Sequence, residues 1–308
     1  MIKRLLLRVA DGPWTAAAVL TLGVVLAFAP DAFLIMLARA FLLQWTLFFG
    51  VLMALCVWRR AWWTATAAAM AGLLTLFPPL CHEQPLPAGG TGALRVAQMN
   101  VFQPNQEHEA VLRAALASDA DLISFQEVDP DWAYALESGL AEVYPYHVVE
   151  PRTDCYGIAV FSRSPFTSVR VRMLEDTPAV EASVATPEGP MRVFAVHAGS
   201  PGNYGSFQRR NRQLAILTGW VAEEEGPTLV LGDLNTVSWD QALHNFCLRS
   251  GLREGQDGTT ATWPSLLGLA LIPLDHVLVS PGLGVSRSEV FRIPGSDHRG
   301  LAALITFR

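Results

Sequence analysis

Residues 228–235 read TLVLGDLN: a short apolar run, a glycine, then an acid and an amide two positions apart. The run predicts a buried strand, and Gly232 a tight turn that carries Asp233 and Asn235 away from it. A carboxylate and an amide so spaced can hold and deprotonate one water molecule. The same shape recurs on either side. Upstream, Val193-Phe194-Ala195-Val196 runs into His197, Leu122-Ile123-Ser124-Phe125 into Gln126-Glu127, and Val96-Ala97-Gln98-Met99 into Asn100. Downstream, Asp275-His276 opens Val277-Leu278-Val279, and Ser296-Asp297-His298-Arg299 precedes the last apolar run. A single polar residue at a strand end is usually a cap or a turn. Six such ends, nearly all Asp, Glu, Asn or His, exceed what turns require, and strand ends in layered α/β folds converge on one edge.

Between these points strand-like and helix-like segments alternate. Strands are expected at 95–101, 121–125, 158–161, 169–173, 181–186, 191–196, 228–231, 277–279, 289–291 and 301–305. Helices are expected at 108–117, near 132–140, at 208–224 and at 239–248. The mixture predicts an α/β domain with sheets inside and helices outside.

The charge pattern divides the chain. Residues 1–80 carry six basic and two acidic side chains, while the rest carries 16 basic and 26 acidic, a net −10. Positions 12–30, 40–58 and 61–81 are free of charge, each long enough at about 1.5 Å per residue to cross a hydrocarbon core. The reading is a membrane domain at 1–81 with about three transmembrane helices, a Pro/Gly-rich linker at 82–93 and a catalytic domain at 94–308. Lys3, Arg4 and Arg8 before the first run, and Arg59 and Arg60 between the second and third, predict a cytoplasmic N-terminus and an extracytoplasmic domain. Arg39 belongs near an interface. A cleaved signal peptide ending near Ala27-Phe28-Ala29 is the rival reading of the first run. Four scattered cysteines make no disulfide framework or metal motif.

The residue types indicate a reaction class. Carboxylates and an amide are hard oxygen ligands suited to Mg²⁺ or Mn²⁺, and two histidines can move protons or stabilise a phosphoryl group. The chain has no G-x-S-x-G elbow, Walker loop, H-E-x-x-H or C-x-x-C, so covalent serine or cysteine chemistry is not supported.

The ordered set MNV, FQEV, YGIAVFSR, VFAVH, LVLGDLN, LDHVLVS and SDHRGL, from about Arg95 to the end, resembles the endonuclease/exonuclease/phosphatase superfamily. That group includes DNase I, exonuclease III, inositol polyphosphate 5-phosphatases and neutral sphingomyelinases, and the apolar N-terminal runs look like its membrane-anchored bacterial branch. The resemblance implies a four-layer α/β sandwich, two packed mixed β-sheets flanked by helices. It also implies roles. Glu127 would be the main metal ligand, with Asn100 and Asp297 in support. Asp233 would orient or deprotonate the attacking water, and Asn235 would position Asp233 and the phosphate. His298 would contact the scissile phosphate, oriented by Asp275. His197 would stabilise the phosphorane-like state, and Tyr156 would touch the phosphate. The sequence departs from the family at Ala198-Gly199-Ser200-Pro201, where many members have Thr-Pro or Pro-Pro after the histidine, and at Gly300, where many have proline.

The expected activity is therefore that of a membrane-anchored, divalent-metal-dependent phosphodiesterase of nuclease type, at the bacterial inner membrane with its catalytic domain outside the cytoplasm. A phospholipid or sphingolipid phosphodiesterase is the alternative, and a non-catalytic scaffold the reading from another class. The expected partners are the bilayer and a phosphoester, either nucleic acid or a lipid head group; nothing calls for an obligate protein partner. Lys3 is the only lysine, so the acidic domain offers no broad basic footprint for nucleic acid. Arg209, Arg210 and Arg212 form a basic cluster at a helix start; one of them could reach substrate phosphate, or all could face solvent. His108, His147, His244 and His276 fall outside the pattern and read as surface or core histidines.

Overall fold

Twelve strands alternate with helices in the computed structural model, which describes residues 11–80, 93–223, 225–265 and 268–308. The chain divides into two compact units. One holds the helices up to Leu80 together with Ser238–Gln241, and the other holds the rest from Ala93 onward. Apart from Ala93, the linker expected at 82–93 lies outside the described residues, as do Lys3, Arg4, Arg8 and Cys81.

The first unit contains α1 (Pro13–Phe28), α2 (Phe33–Arg39), α3 (Leu42–Trp58) and α4 (Trp62–Leu80). The charge-free runs predict three full-length spans here. Among the described residues only α4, with 19, is long and apolar enough to cross a membrane; α1 and α2 qualify only as a pair, and that pair is bent by 98°. The break has a plain cause. Ala29 is extended (ψ 149°) because it precedes Pro30, which disfavours helical geometry in its neighbour. Arg39 then donates from Nη1 to the freed Ala29 carbonyl at 2.8 Å, so its charge serves the chain reversal. The apolar α3 has 17 residues.

The second unit is built from two six-stranded sheets. Sheet one runs β11 (Leu283–Arg292), β12 (Arg299–Phe307), β1 (Ala93–Asn100), β2 (Leu122–Gln126), β4 (Ile158–Ser162), β3 (Tyr146–Glu150). Sheet two runs β5 (Phe166–Leu174), β6 (Thr177–Thr186), β7 (Gly189–His197), β8 (Thr228–Asp233), β10 (Asp275–Val279), β9 (Arg253–Glu254). Both are mixed: β1/β2 and β7/β8 are parallel and the other pairs antiparallel. Alternate residues of both sheets, among them Val96, Leu122, Val160, Val180, Val193, Leu231, Val277 and Leu301, form one core between the layers. The outer face of sheet one is covered by α5 (His108–Ala117) and α6 (Pro130–Leu140), that of sheet two by α7 (Tyr204–Val221) and α8 (Gln241–Ser250). The result is an α/β sandwich of two mixed sheets with helices outside.

Period-two alternation fixes where the polar residues go. The inward face of β1 reads Leu94, Val96, Gln98, Asn100; that of β7 Met191, Val193, Ala195, His197; that of β8 Leu229, Leu231, Asp233; that of β10 Val279, Val277, Asp275. Each strand is apolar inward until its last position or two. Register aligns the ends: His197 pairs with Asp233, and Asp233 with Asp275. Gly232 sits at φ +139°, where a Cβ would meet the Val196 carbonyl oxygen at 1.9 Å. Only glycine fits between β7 and β8 there.

Candidate active site

The two rows of polar strand ends meet at one edge of the sandwich. Sheet two supplies His197, Asp233 and Asp275. Sheet one supplies Asn100, Glu127 just beyond β2, and Asp297 and His298 just before β12. Asn100, His197, Asp233, Asn235, Asp275 and His298 are buried, and Glu127, Asp297 and Tyr156 are half-buried. All nine residues expected from the sequence belong to this edge or its immediate rim.

Among the described residues, side-chain hydrogen bonds cross from sheet to sheet through Asn100 and through His298. The Asn100 amide donates to Glu127 Oε1 at 3.0 Å and, across the cleft, to Asp233 Oδ2 at 3.1 Å. His298 Nδ1 and Asp275 Oδ2 lie 2.9 Å apart; the carboxylate can only accept, so Nδ1 carries the proton and Nε2 points at Asp233 Oδ2, 3.7 Å away. His197 Nε2 approaches the same oxygen at 3.6 Å. The other Asp233 oxygen accepts the Asn235 backbone N–H at 2.9 Å, while the Asn235 side chain donates to the Ala198 carbonyl at 2.9 Å. The expected positioning of Asp233 by Asn235 thus runs through the main chain. Glu127 Oε2 accepts from the Gln103 N–H at 2.9 Å.

Glu127 (φ 64°) and Asn235 (φ 49°) both adopt left-handed backbone. Such geometry is costly for non-glycine residues and persists where the surroundings impose it. Here it turns both side chains back towards the cleft immediately after a strand.

Burial and neighbouring charge shift five groups in different directions. Burial alone would lower His298, but the charge and hydrogen bond of Asp275, with Asp233 and Asp297 adding, raise it to about 10. Burial alone would raise Asp275; the His298 charge and hydrogen bond outweigh that and hold it below the usual carboxylate range. His197 is pushed down to about 3 by burial and then by the His298 charge, so it is neutral. Asp233 is raised to about 7 by burial and by Asp275, against the pull of His298. Glu127 is raised by burial, against its hydrogen bonds to Gln103 and Asn100.

These residues fit a divalent cation. Asp233, Asp275 and His298 bring ligand atoms within 4.8 Å of one another, a buried group able to hold one. Asp297 Oδ1 and Asp275 Oδ1 are buried without a hydrogen-bond partner. Burial raises both Glu127 and Asp233, and a bound cation favours the ionised form of each.

Several contributors were not legible as site residues. The Trp263 indole donates from Nε1 to Asp297 Oδ2 at 2.9 Å, and the Thr262 hydroxyl accepts from the Asp275 N–H at 3.3 Å. His276 is fully buried, its Nε2 donating to the Thr236 carbonyl at 2.8 Å, so a histidine read as surface or core ties down the turn after β8. The arginine cluster separates three ways. Arg212 faces solvent and pairs with Glu175, and buried Arg210 donates to the Asn235 carbonyl at 3.3 Å. Arg209 donates to the Tyr156 hydroxyl at 2.7 Å, and the Tyr156 ring lies 5.1 Å from that of His197. Gly199 lies beside this arginine: a Cβ there would stand 2.9 Å from Arg209 Nε.

The sequence profile of the Endonuclease/Exonuclease/phosphatase family matches residues 97–298. No curated protein sequence matches the chain. Among solved structures, TDP2 of D. rerio complexed with a single-strand DNA product is 17% identical with a TM-score of 0.59, over 70% of this chain and 100% of that one. Sphingomyelinase C from Streptomyces griseocarneus is 18% identical with a TM-score of 0.54, over 69% and 99%. A mannosyl-6-phosphatase of Bacteroides thetaiotaomicron is 17% identical with a TM-score of 0.59, over 70% and 100%. At these identities the likeness is one of fold.

Proposed function

Because the chain belongs to the endonuclease/exonuclease/phosphatase family and is a metal-dependent phosphoester hydrolase, we propose that it cleaves a phosphodiester outside the cytoplasm, held at the membrane by its N-terminal helices. The observation that carries the chemistry is the cross-sheet array in which Asn100 joins Glu127 to Asp233 while Asp275 holds His298.

Glu127, with Asn100 and Asp297, would hold Mg²⁺ or Mn²⁺. The alternative of Asp233, Asp275 and His298 would cost the His298–Asp275 hydrogen bond, whereas Asp297 Oδ1 is unused. A bound divalent cation supplies charge neutralisation at the phosphoryl oxygens. The remaining work belongs to side chains. Asp233, poised near neutrality and fixed through Oδ1, takes the proton of the attacking water. His298, cationic through the neutral range, presents Nε2–H to the phosphate. His197 stays neutral and offers a hydrogen bond to charge building on the phosphoryl oxygens, and Tyr156 lines the same side. Hydrolysis of bis(p-nitrophenyl) phosphate by the full chain, with Mg²⁺ and with EDTA, tests this reading. Activity that survives exhaustive chelation would overturn it.

For placement, α4 alone suffices. Arg59 and Arg60 stand just before it, and by the positive-inside rule its far end then leads out of the cytoplasm. A reporter fused after Arg308 that is active only in the cytoplasm would refute this. A lipid phosphoester is the second substrate reading, favoured by the acidic, lysine-free domain, which gives little steering for polyanionic nucleic acid.

A further inference from the structure

Tyr156 reaches the cleft from a loop. It stands in the stretch 151–157 between β3 and β4, so its phenol lacks the strand register that fixes His197, Asp233 and Asp275. A group that must meet a reacting phosphate needs a fixed place. Here the fastening comes from another element. Arg209 of α7 donates from Nη2 to Tyr156 Oη at 2.7 Å and from Nη1 to Asp176 Oδ2 at 2.7 Å. Asp176 belongs to the turn between β5 and β6, so one guanidinium joins that outer turn to the phenol.

Arg212, one helical turn further along α7, shows what a plain surface pair looks like. It bonds Glu175 of the same β5/β6 turn and keeps 56% of its side chain exposed, whereas Arg209 keeps 22%. Exposed pairs of the first kind contribute little. Arg209 instead runs past Gly199, where a Cβ would stand 2.9 Å from Nε and 3.0 Å from Nη2. A side chain at 199 would crowd the very nitrogen that holds Tyr156.

The polarity of the bond matters. A guanidinium has donors and no acceptor. Tyr156 Oη therefore accepts, and its own O–H is left to donate elsewhere. Burial raises the phenol above its ordinary range, against the charge and hydrogen bond of Arg209, so it keeps that proton through the neutral range. A hydroxyl that accepts from a cation becomes a stronger donor in turn. The Tyr156 ring lies 5.1 Å from that of His197, the imidazole that would meet the phosphoryl oxygens.

We propose that Arg209 is a positioning residue: held by Asp176 and accommodated by Gly199, it fixes Tyr156 as a hydrogen-bond donor to a phosphoryl oxygen of the substrate. The catalytic half rests on the phosphoesterase reading; the Arg209–Tyr156 contact does not.

Two readouts on the full chain test this. The first needs no turnover. The Raman Fermi doublet of tyrosine reports whether a phenol accepts or donates, and subtracting the Tyr156→Phe spectrum isolates Tyr156. Wild type should show an acceptor, and Arg209→Ala should lose that signature. Gly199→Ala, which keeps the arginine but crowds it, should lose it in part. A doublet unchanged in Arg209→Ala overturns the contact. The second readout is hydrolysis of bis(p-nitrophenyl) phosphate in Mg²⁺. Tyr156→Phe should lower kcat at least about tenfold, the scale of one hydrogen bond to a charged group. Arg209→Ala should lower it by a similar factor, yet cost less than about twofold more when added to Tyr156→Phe, because the two act as a unit. Added guanidinium ion should restore Arg209→Ala and leave the double variant unchanged. A full further loss in the Tyr156→Phe background overturns the positioning role, since Arg209 would then act on the substrate itself or on the fold. A wild type that cleaves no ester in Mg²⁺ or Mn²⁺ would refute the phosphoesterase reading and the catalytic half with it, while the doublet still decides the contact.

Discussion

The two sheets contribute unlike halves to one cleft. Sheet one brings oxygen ligands held from outside the row of strand ends: Glu127 and Asp297 both lie just past or just before a strand, and Asn100 ends one. Sheet two brings His197, Asp233 and Asp275, all within strands and locked side by side by register. A metal ligand can sit on a short turn and still adapt to its cation, whereas proton transfer needs fixed spacing. His298 is the exception: it belongs to sheet one by sequence and to sheet two by its hydrogen bond with Asp275.

The largest effect should come from emptying the sheet-one half. EDTA should abolish turnover and Mg²⁺ or Mn²⁺ restore it, and Glu127→Gln should lower kcat by at least about 10²-fold, the scale of a lost electrostatic stabiliser. Circular dichroism of the variant should match wild type, since Glu127 is only half-buried. A Glu127→Gln enzyme with normal kcat would place the cation in the Asp233, Asp275 and His298 group and erase the contrast between halves.

Next in size are the proton-handling groups. Asp233→Asn and His298→Ala should each cost at least about 10²-fold, read by steady-state kinetics on folded protein. Asp275→Asn should cost less, and combined with His298→Ala it should cost little beyond His298→Ala alone, because the pair acts as a unit. The same Asp275→Asn change should move the alkaline limb of the rate profile downward, since His298 loses the charge and hydrogen bond that raise it to about 10. Additive losses would show that His298 does not depend on sheet two.

The smallest effect is thermodynamic. Asp233 ionises at about 7 in the folded chain but near 3.9 unfolded. Between those values the folded state binds the extra proton, so without metal its contribution to stability is lost as pH rises through about 7. In metal-free buffer Asp233→Asn should therefore gain on wild type in thermal unfolding between pH 5 and 8, with Mg²⁺ narrowing the gap. A gap that widens as pH falls would reverse the sign and remove burial as the cause.

Much of this was legible because buried strands announce themselves. Thr228–Leu231, Ile158–Phe161 and Leu122–Phe125 are mostly apolar runs without a charge, and the helix at 108–117 matches α5 residue for residue. Strand β3 escaped because Tyr146–Glu150 is half exposed throughout, and β9 because two residues carry no period. The apolar runs put Asp233 and His197 beyond their strands, yet both close them; a period-two reading carried one residue further finds this. Trp263, Thr262 and His276 act through contacts distant in sequence, and no local pattern could mark them. The helical segment misled in the other direction: absence of charge measured composition, while Pro30 decided where the first helix stops.

Gly300 carries a lesson for recognising chains of this kind. It faces Phe291 across the β11/β12 ladder, and a Cβ there would stand 2.3 Å from the phenyl ring. In this chain a proline at 300 and the Phe291 ring would therefore compete for one volume. A search pattern that insists on proline after SDHR passes over a chain that, like this one, sets a phenyl ring opposite glycine. Reading positions 291 and 300 together, rather than 300 alone, keeps a chain of this kind within the pattern.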